Sequence, residues 1–281
     1  MTVFRRVRAF RQAVLDWRRA GRRVGLVPTM GALHEGHASL IRRARRENDE
    51  VVVSIFVNPA QFGPGEDLTR YPRPFARDLA LCRREGVSAL LAPSPRALYP
   101  TGFQTWVTVE ELSRPLCGPF RPGHFRGVAT VVLKLLNLVQ PDRAYFGKKD
   151  FQQLRVIQRL VADLNVPVKI VACPTVRERS GLALSSRNAY LSPEERAAAP
   201  FLRRALRAAG QVLKSRRNPA QAKRAAINIL REVGEARVQY LEILDPETLG
   251  APKKKGPVLL AAAVYVGRTR LIDNLVLRQV P

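Results

Sequence analysis

Val27–Leu40 reads "VPTMGALHEGHASL" and places two of the chain's three histidines, His34 and His37, on either side of Gly36. The apolar run of Val24, Leu26 and Val27 ends at Pro28. Gly31 and Gly36 then permit tight turns before apolar spacing resumes at Leu40 and Ile41. This pattern predicts a strand giving way to a helix from about His37 to Glu47, with the histidines at the junction. Helix starts carry unpaired N–H groups and positive partial charge, which suit a bound phosphate.

The "HEGH" pair admits three readings. Zinc needs four-residue spacing on one helix or a third ligand, for which only His124 is available. A structural pair would cap the helix or fill a polar pocket. In the third reading the rings donate hydrogen bonds to phosphate and stabilise departing pyrophosphate.

Outward from this stretch, strand-like and helix-like segments alternate. "EVVVSIFVN" and "SALLAP" read as strands, as do "AYFG" and "PVKIVAC"; helices are predicted near Pro74–Glu85 and over "GVATVVLKLLNLV" and "LRVIQRLVADL". Val7, Phe10, Val14 and Trp17 have helical spacing and predict an amphipathic N-terminal helix. The alternation implies an α/β fold, a mostly parallel sheet with helices on both faces and ligands beyond the strands' carboxyl ends. After "SGLALSSRNAYL", Ser192-Pro193-Glu194-Glu195 forms a capping box that opens a helical stretch. A second helix covers "AQAKRAAINILREV", and "VQYLEILD" and "VLLAAAVYVGRTRLIDNLVL" read as strands. The organisation is thus a domain over 1–175 and a smaller α+β domain over 176–281.

With 281 residues the chain can bury a substantial core. No apolar run approaches the roughly 18 residues of a membrane span. The N-terminus is too rich in arginine for a secretory signal. Three scattered cysteines, Cys82, Cys117 and Cys173, indicate reduced thiols in a cytoplasmic protein. The formal charge of +25 invites a nucleic-acid reading. The arginines, however, are distributed along the polar sides of helices, the pattern of ordinary solvated basic faces, with attraction of anionic substrates as the alternative, so no specific nucleic-acid partner is expected.

Other segments offer site chemistry. "FGKKDFQQL" brings Gly147, Lys148, Lys149 and Asp150 to a strand end, with Gln153 just beyond; these suit phosphate and a polar substrate, although lysine pairs are ordinarily solvated. "GLALSSRN" supplies hydroxyls and Arg187, whose guanidinium can grip phosphate through two donors, or it forms an ordinary capped turn. Asn58 and Gln61 follow a strand and could read hydroxyls and a carboxylate. His124 lies in "RPGHFRG" beside Arg121, so all three histidines are expected in glycine-containing turns. Neither a GxxxxGK[ST] nor a GxGxxG loop is present.

Taken in order, "PTMGALHEGH", "SIFVNPAQF", "YPR", "RPGHFRGVAT", "FGKKDFQQL", "GLALSSRN" and "RLIDN" resemble the pantothenate synthetase (pantoate–β-alanine ligase) family of the HxGH nucleotidyltransferases. The resemblance implies a Rossmann-like N-terminal domain binding nucleotide and pantoate, a C-terminal domain closing over ATP, and a homodimer. It also implies ATP-dependent joining of pantoate to β-alanine through pantoyl-adenylate. By matching positions, His37, His34, Lys149 and Arg187 form the catalytic group. Met30, Gly31, Ala32, Leu33, Glu35, Gly36, Gly147, Lys148, Asp150, Val176, Leu184, Ser185 and Ser186 complete the ATP site. Gln61, Gln153, Asn58, Tyr71, Arg121 and His124 serve pantoate and β-alanine. The chain departs from the family at Lys148, Arg77 and Ser180, where acids are common. Asp78 is left as the candidate protein ligand for magnesium, and the ion is expected to be held mainly by ATP phosphates. The competing readings are a transferase of nucleotides to phosphorylated acceptors, which needs an acceptor-phosphate site, and a nucleic-acid binder, which leaves the ordered motifs unexplained.

Overall fold

Val51, Val52 and Val53 are consecutive, so their side chains leave both faces of a strand, and only a strand covered on both faces buries them all. In the computed structural model, which describes residues 1–216, 218–232 and 236–280, they lie inside a six-stranded parallel sheet. Its strands are β1 (Thr2–Phe4), β2 (Val24–Thr29), β3 (Glu50–Ile55), β4 (Ala89–Leu91), β5 (Arg143–Gly147) and β6 (Lys169–Cys173), in the order β1-β4-β3-β2-β5-β6. Helices α1 (Val7–Arg19), α2 (Glu35–Glu47) and α3 (Phe75–Arg84) are followed by the one-turn helices α4 (Pro95–Leu98) and α5 (Glu110–Ser113), then α6 (His124–Val139) and α7 (Phe151–Asp163).

Strand alternation divides the core between two faces. Leu26, Val52, Leu91 and Phe146 pack with Phe10 and Val14 of α1 and the apolar side of α6. Val27, Val53, Leu90 and Tyr145 pack with Leu40, Ile41 and Ala44 of α2 and Cys82 of α3. Strand order reverses between β2 and β5, so the crevice of this sheet opens beyond their carboxyl ends, at the loop that follows Thr29.

The chain divides into two compact units. One comprises Met1–Ser113, Phe120–Lys148 and Gln153–Pro174; the other comprises Arg114–Pro119, Lys149–Gln152 and Thr175–Pro281. In the second unit, α8 (Pro193–Ala198), α9 (Phe201–Arg216) and α10 (Pro219–Arg231) accompany an antiparallel sheet of β7 (Ala236–Leu244), β8 (Gly256–Val266) and β9 (Thr269–Val280). Ala205, Leu206 and Ala209 of α9 and Ala222 and Ala226 of α10 bury against Leu260, Ala262 and Val264 of β8. Ser192 accepts from the Glu195 amide while Glu195 accepts from the Ser192 amide, completing the cap expected from the sequence.

Four elements differ from the sequence reading. β1 escaped notice because three residues carry too little pattern; parallel pairing with β4 is what makes it a strand. Helix α2 begins at Glu35 and α6 at His124, so His37 and His124 lie in first helical turns, not in glycine turns. The predicted helix "AQAKRAAINILREV" is helical as far as Arg231, and its Val233 lies outside the described residues.

The three cysteines are buried and unpaired with one another. Burial pushes the Cys82 thiol up to about 12 and the Cys173 thiol upward as well. Among the described residues no helix is long and apolar enough to cross a membrane. Leu206 is fully buried in the second unit's core, whereas Val238 on β7 is 37% exposed. Leu206→Ala should therefore lower urea stability by about 2–5 kcal/mol, and Val238→Ala by less than about 1 kcal/mol.

Candidate active site

The loop after β2 is held by side chains at both ends. Thr29 donates through Oγ1 to the Ser54 carbonyl (2.7 Å) and accepts from the Gly31 amide (3.1 Å). Gly31 and Ala32 take left-handed backbone angles, φ +82° and +50°. A side chain at Gly31 would start 3.0 Å from Asp78 Oδ2 and 3.1 Å from Ile55 Cγ2, so this position requires glycine twice over. Asp78 of α3 reaches under the turn. Its Oδ2 accepts from the Ala32 amide (2.9 Å) and its Oδ1 from the Leu33 amide (2.7 Å).

This loop delivers His34 in extended conformation as the N-cap of α2. His34 Nδ1 accepts from the Gly36 amide (3.1 Å), and His37 Nδ1 accepts from the His34 amide (3.3 Å). The rings lie 4.1 Å apart, tilted by 38°. A neutral ring that accepts at Nδ1 carries its hydrogen on Nε2, so the hydrogen-bond network assigns both histidines as Nε2–H donors at a helix N-terminus. Glu35, between them, pairs instead with Arg42 (2.6 Å).

The zinc reading of the pair does not survive. His124 Nδ1 bonds the Gln61 carbonyl (2.8 Å) and its Nε2 meets Arg121 (3.0 Å), so both ring nitrogens are engaged. Among the described residues no group of three or more His, Cys, Asp or Glu side chains gathers as a metal site. Asp78, the candidate magnesium ligand, is 1% exposed and committed to two backbone amides. The residues present do not fit a metal held by the protein through Asp78.

Asn58, Gln61, Arg121 and His124 of the first unit form one network. Asn58 caps a short 3₁₀ turn, Pro59–Gln61. Its Nδ2 donates to Gln61 Oε1 (3.0 Å) and to the Gly127 carbonyl (3.1 Å), and its Oδ1 accepts from the Ala60 amide (3.3 Å). With its oxygen thus held, Gln61 turns Nε2 to Met30 Sδ (3.1 Å). Arg121 grips Glu66 through two nitrogens (2.8 and 2.6 Å) and also donates to the Gln61 carbonyl (3.3 Å). Tyr71 is buried with its ring edge-on to Phe62. Asn58, Arg121 and His124 therefore fix Gln61, a supporting task the sequence reading did not distinguish from ligand contact. Glu66 was missed altogether, because an acid in a Gly/Pro-rich loop carries no pattern.

In the second unit, Lys149 and Asp150 lie on a 3₁₀ turn, Lys148–Asp150, that begins in the first unit. Asn274 Nδ2 donates to the Lys149 carbonyl (2.9 Å), and Lys149 Nζ stands 3.6 Å from Asp150. Residues 176–184 fold back on themselves: the Leu184 amide bonds the Val176 carbonyl (3.0 Å) and the Glu178 amide bonds that of Leu182 (2.8 Å). Arg177 makes two bonds to the buried carboxylate of Asp273 (2.7 and 2.8 Å) and one to the Gly181 carbonyl (3.0 Å). Ser185 Oγ accepts from the Arg187 amide (3.3 Å) and so caps the 3₁₀ turn Ser186–Tyr190 that carries Ser186 and Arg187. Arg177, Asp273 and Asn274 anchor this half of the candidate residues; "RLIDN" was the signal for the last two. Gln152, next to the candidate Gln153, is the buried one, bonding the Pro115 carbonyl (2.7 Å) and the Cys117 amide (3.0 Å). Gly147 ends β5, with Lys148 exposed beside it, and Gln153 is half-buried on α7.

Residues 2–276 match the family model described as pantoate-beta-alanine ligase. The chain is 55% identical to pantothenate synthetase 1 of Bradyrhizobium diazoefficiens, over 100% of both proteins. The crystal structure of pantothenate synthetase from Thermus thermophilus superposes with a TM-score of 0.93 at 52% identity, covering 98% of this chain and 99% of that one. A pantoate-beta-alanine ligase from Francisella tularensis, complexed with beta-gamma ATP and beta-alanine, superposes with a TM-score of 0.82 at 37% identity, covering 98% and 97%.

The Asp78 carboxyl is raised above the ordinary 3.8, burial outweighing the opposing Leu33 and Ala32 amides. A raised carboxyl favours the folded state most in acid and loses that advantage as pH climbs through its raised value. Asp78→Asn should flatten the stability profile in that window. Hydrogen exchange at the Ala32 and Leu33 amides should quicken by about tenfold or more, as one acceptor is replaced by a donor.

Proposed function

This chain belongs to the pantoate–β-alanine ligase family, and we propose that it condenses (R)-pantoate with β-alanine, converting ATP to AMP and pyrophosphate. The observation that carries the reading at the level of residues is the reciprocal histidine cap, which offers two ring N–H donors at the start of α2. In the first step a pantoate carboxylate oxygen attacks the α-phosphorus of ATP, the bond to the bridging oxygen breaks, and pyrophosphate leaves. The carboxylate is already a nucleophile, so no general base is required. What the step needs is positioning and stabilisation of charge on the phosphates.

In this assignment His34 and His37 donate to phosphate oxygens, and Lys149 and Arg187 add positive charge. The Ser185 and Ser186 region and the backbone from Met30 to Gly36 complete the ATP contacts. Gln61 and Gln153 orient pantoate, Gln61 being held for that purpose by Asn58, Arg121 and His124. In the second step the amine nitrogen of β-alanine attacks the acyl carbon, the bond to the AMP oxygen breaks, and the nitrogen loses a proton to give the amide. The anhydride intermediate must be kept from water until the amine arrives, a task assigned to closure of the second unit. Magnesium enters with ATP, held by its phosphates. A homodimer in the cytoplasm is the expected setting.

Given ATP, magnesium and pantoate without β-alanine, the protein should exchange labelled pyrophosphate into ATP; with β-alanine it should form pantothenate and AMP. Exchange that ignores pantoate and responds to a phosphorylated acceptor would replace this reading by the transferase one. His37→Ala and Lys149→Ala should each lower kcat by about 10²–10³ while changing the KM for pantoate far less. Near-normal turnover in either variant removes that residue from the mechanism.

A further inference from the structure

At the amino ends of the parallel strands, away from the histidines, cationic side chains converge. Arg143 and Lys169 are the first residues of β5 and β6 and are register partners; Arg143 is also the partner of Gly25, two residues after Arg23. Arg43 and Glu47 reach the same place from the last turns of α2. These five side chains and the edge of β6 line a cavity of about 490 Å³, within the range of small-ligand sites. Four cations thus face one carboxylate.

Internal pairing leaves a surplus of positive charge. Arg43 bonds Glu47 (2.9 Å), which also accepts from Tyr145 (2.9 Å), and Arg23 bonds Asp49 (3.3 Å). Arg143 donates to the Glu47 carbonyl (3.2 Å), and Lys169 is exposed; neither forms an ion pair with a carboxylate among the described residues. The Arg43 hydrogen bond holds Glu47 below the usual glutamate range, so Glu47 stays ionised against Arg43, Asp49 answers Arg23, and Arg143 and Lys169 remain as the surplus.

We propose that this cavity binds a small polyanion bearing phosphate groups, at a site separate from the one assigned to ATP. Phosphate matches the chemistry better than carboxylate. Planar guanidinium forks and an ammonium group converge on one concavity, where several oxygens of a polyphosphate can be met at once. The strands fix the spacing of Arg143 and Lys169, so recognition needs little reordering of the backbone.

The test is titration calorimetry of inorganic tripolyphosphate into the full chain at low salt, with the ATP site saturated by a non-hydrolysable ATP analogue. One further binding event is expected. The Arg143→Gln/Lys169→Gln chain should bind about tenfold more weakly or worse, and Lys169→Gln alone should show part of that loss if the double variant does not fold. Arg8→Gln/Arg11→Gln, which removes two exposed cations of α1, should leave binding unchanged. No additional event in the parent, or equal weakening by the α1 pair, would mean that only diffuse attraction to a basic protein exists, and overturns the site.

Discussion

Asp78 is the constraint on which the rest of the site depends. A carboxylate that is almost fully buried is disfavoured by desolvation, and its raised pKa records that penalty. Two short bonds from consecutive amides offset part of it. In return, the turn at Gly31 and Ala32 keeps backbone angles that a free loop would rarely visit, each position costing about 1–3 kcal/mol where the residue is not glycine. Because the turn is fixed, His34 arrives at α2 in the extended geometry a cap requires, and His37 follows one turn later. Tautomer, ring placement and helix start are therefore consequences of a contact made from another helix.

The same division of labour recurs in the second unit. Asp273 is buried and receives both nitrogens of Arg177, and Arg177 also holds the Gly181 carbonyl. The segment leading to Ser185, Ser186 and Arg187 is thereby held by Arg177 and Asp273, and Ser185 caps the turn that follows. In the first unit Asn58, Arg121 and His124 do the equivalent for Gln61. A side chain or turn supported from behind in this way is left few conformations.

The layered fold was legible because its evidence is periodic. Val51–Val53, the Pro28 and Gly31 break, and the Ser192–Glu195 cap each encode a local preference that tertiary packing had no reason to override. The three-residue β1 was not legible, since its strand character comes from β4. The motifs nominated candidate residues, but not which of them hold neighbouring backbone in place. Asp78 and Asn58 look available for ligands in sequence, and only their hydrogen bonds show Asp78 engaged by two backbone amides and Asn58 by backbone and Gln61. His124 reads as a turn histidine until α6 extends one turn further toward the N-terminus and draws both its nitrogens into a network.

The three buried thiols have a practical meaning. Cys82 and Cys173 lie in the first unit and Cys117 in the second, and none forms a disulfide. A thiol inside a packed interior meets an alkylating reagent only when its surroundings open. The molecule thus carries built-in reporters of breathing in each unit. The order in which the cysteines take up label under mild denaturant ranks the two units by their local stability, without adding a probe to either core.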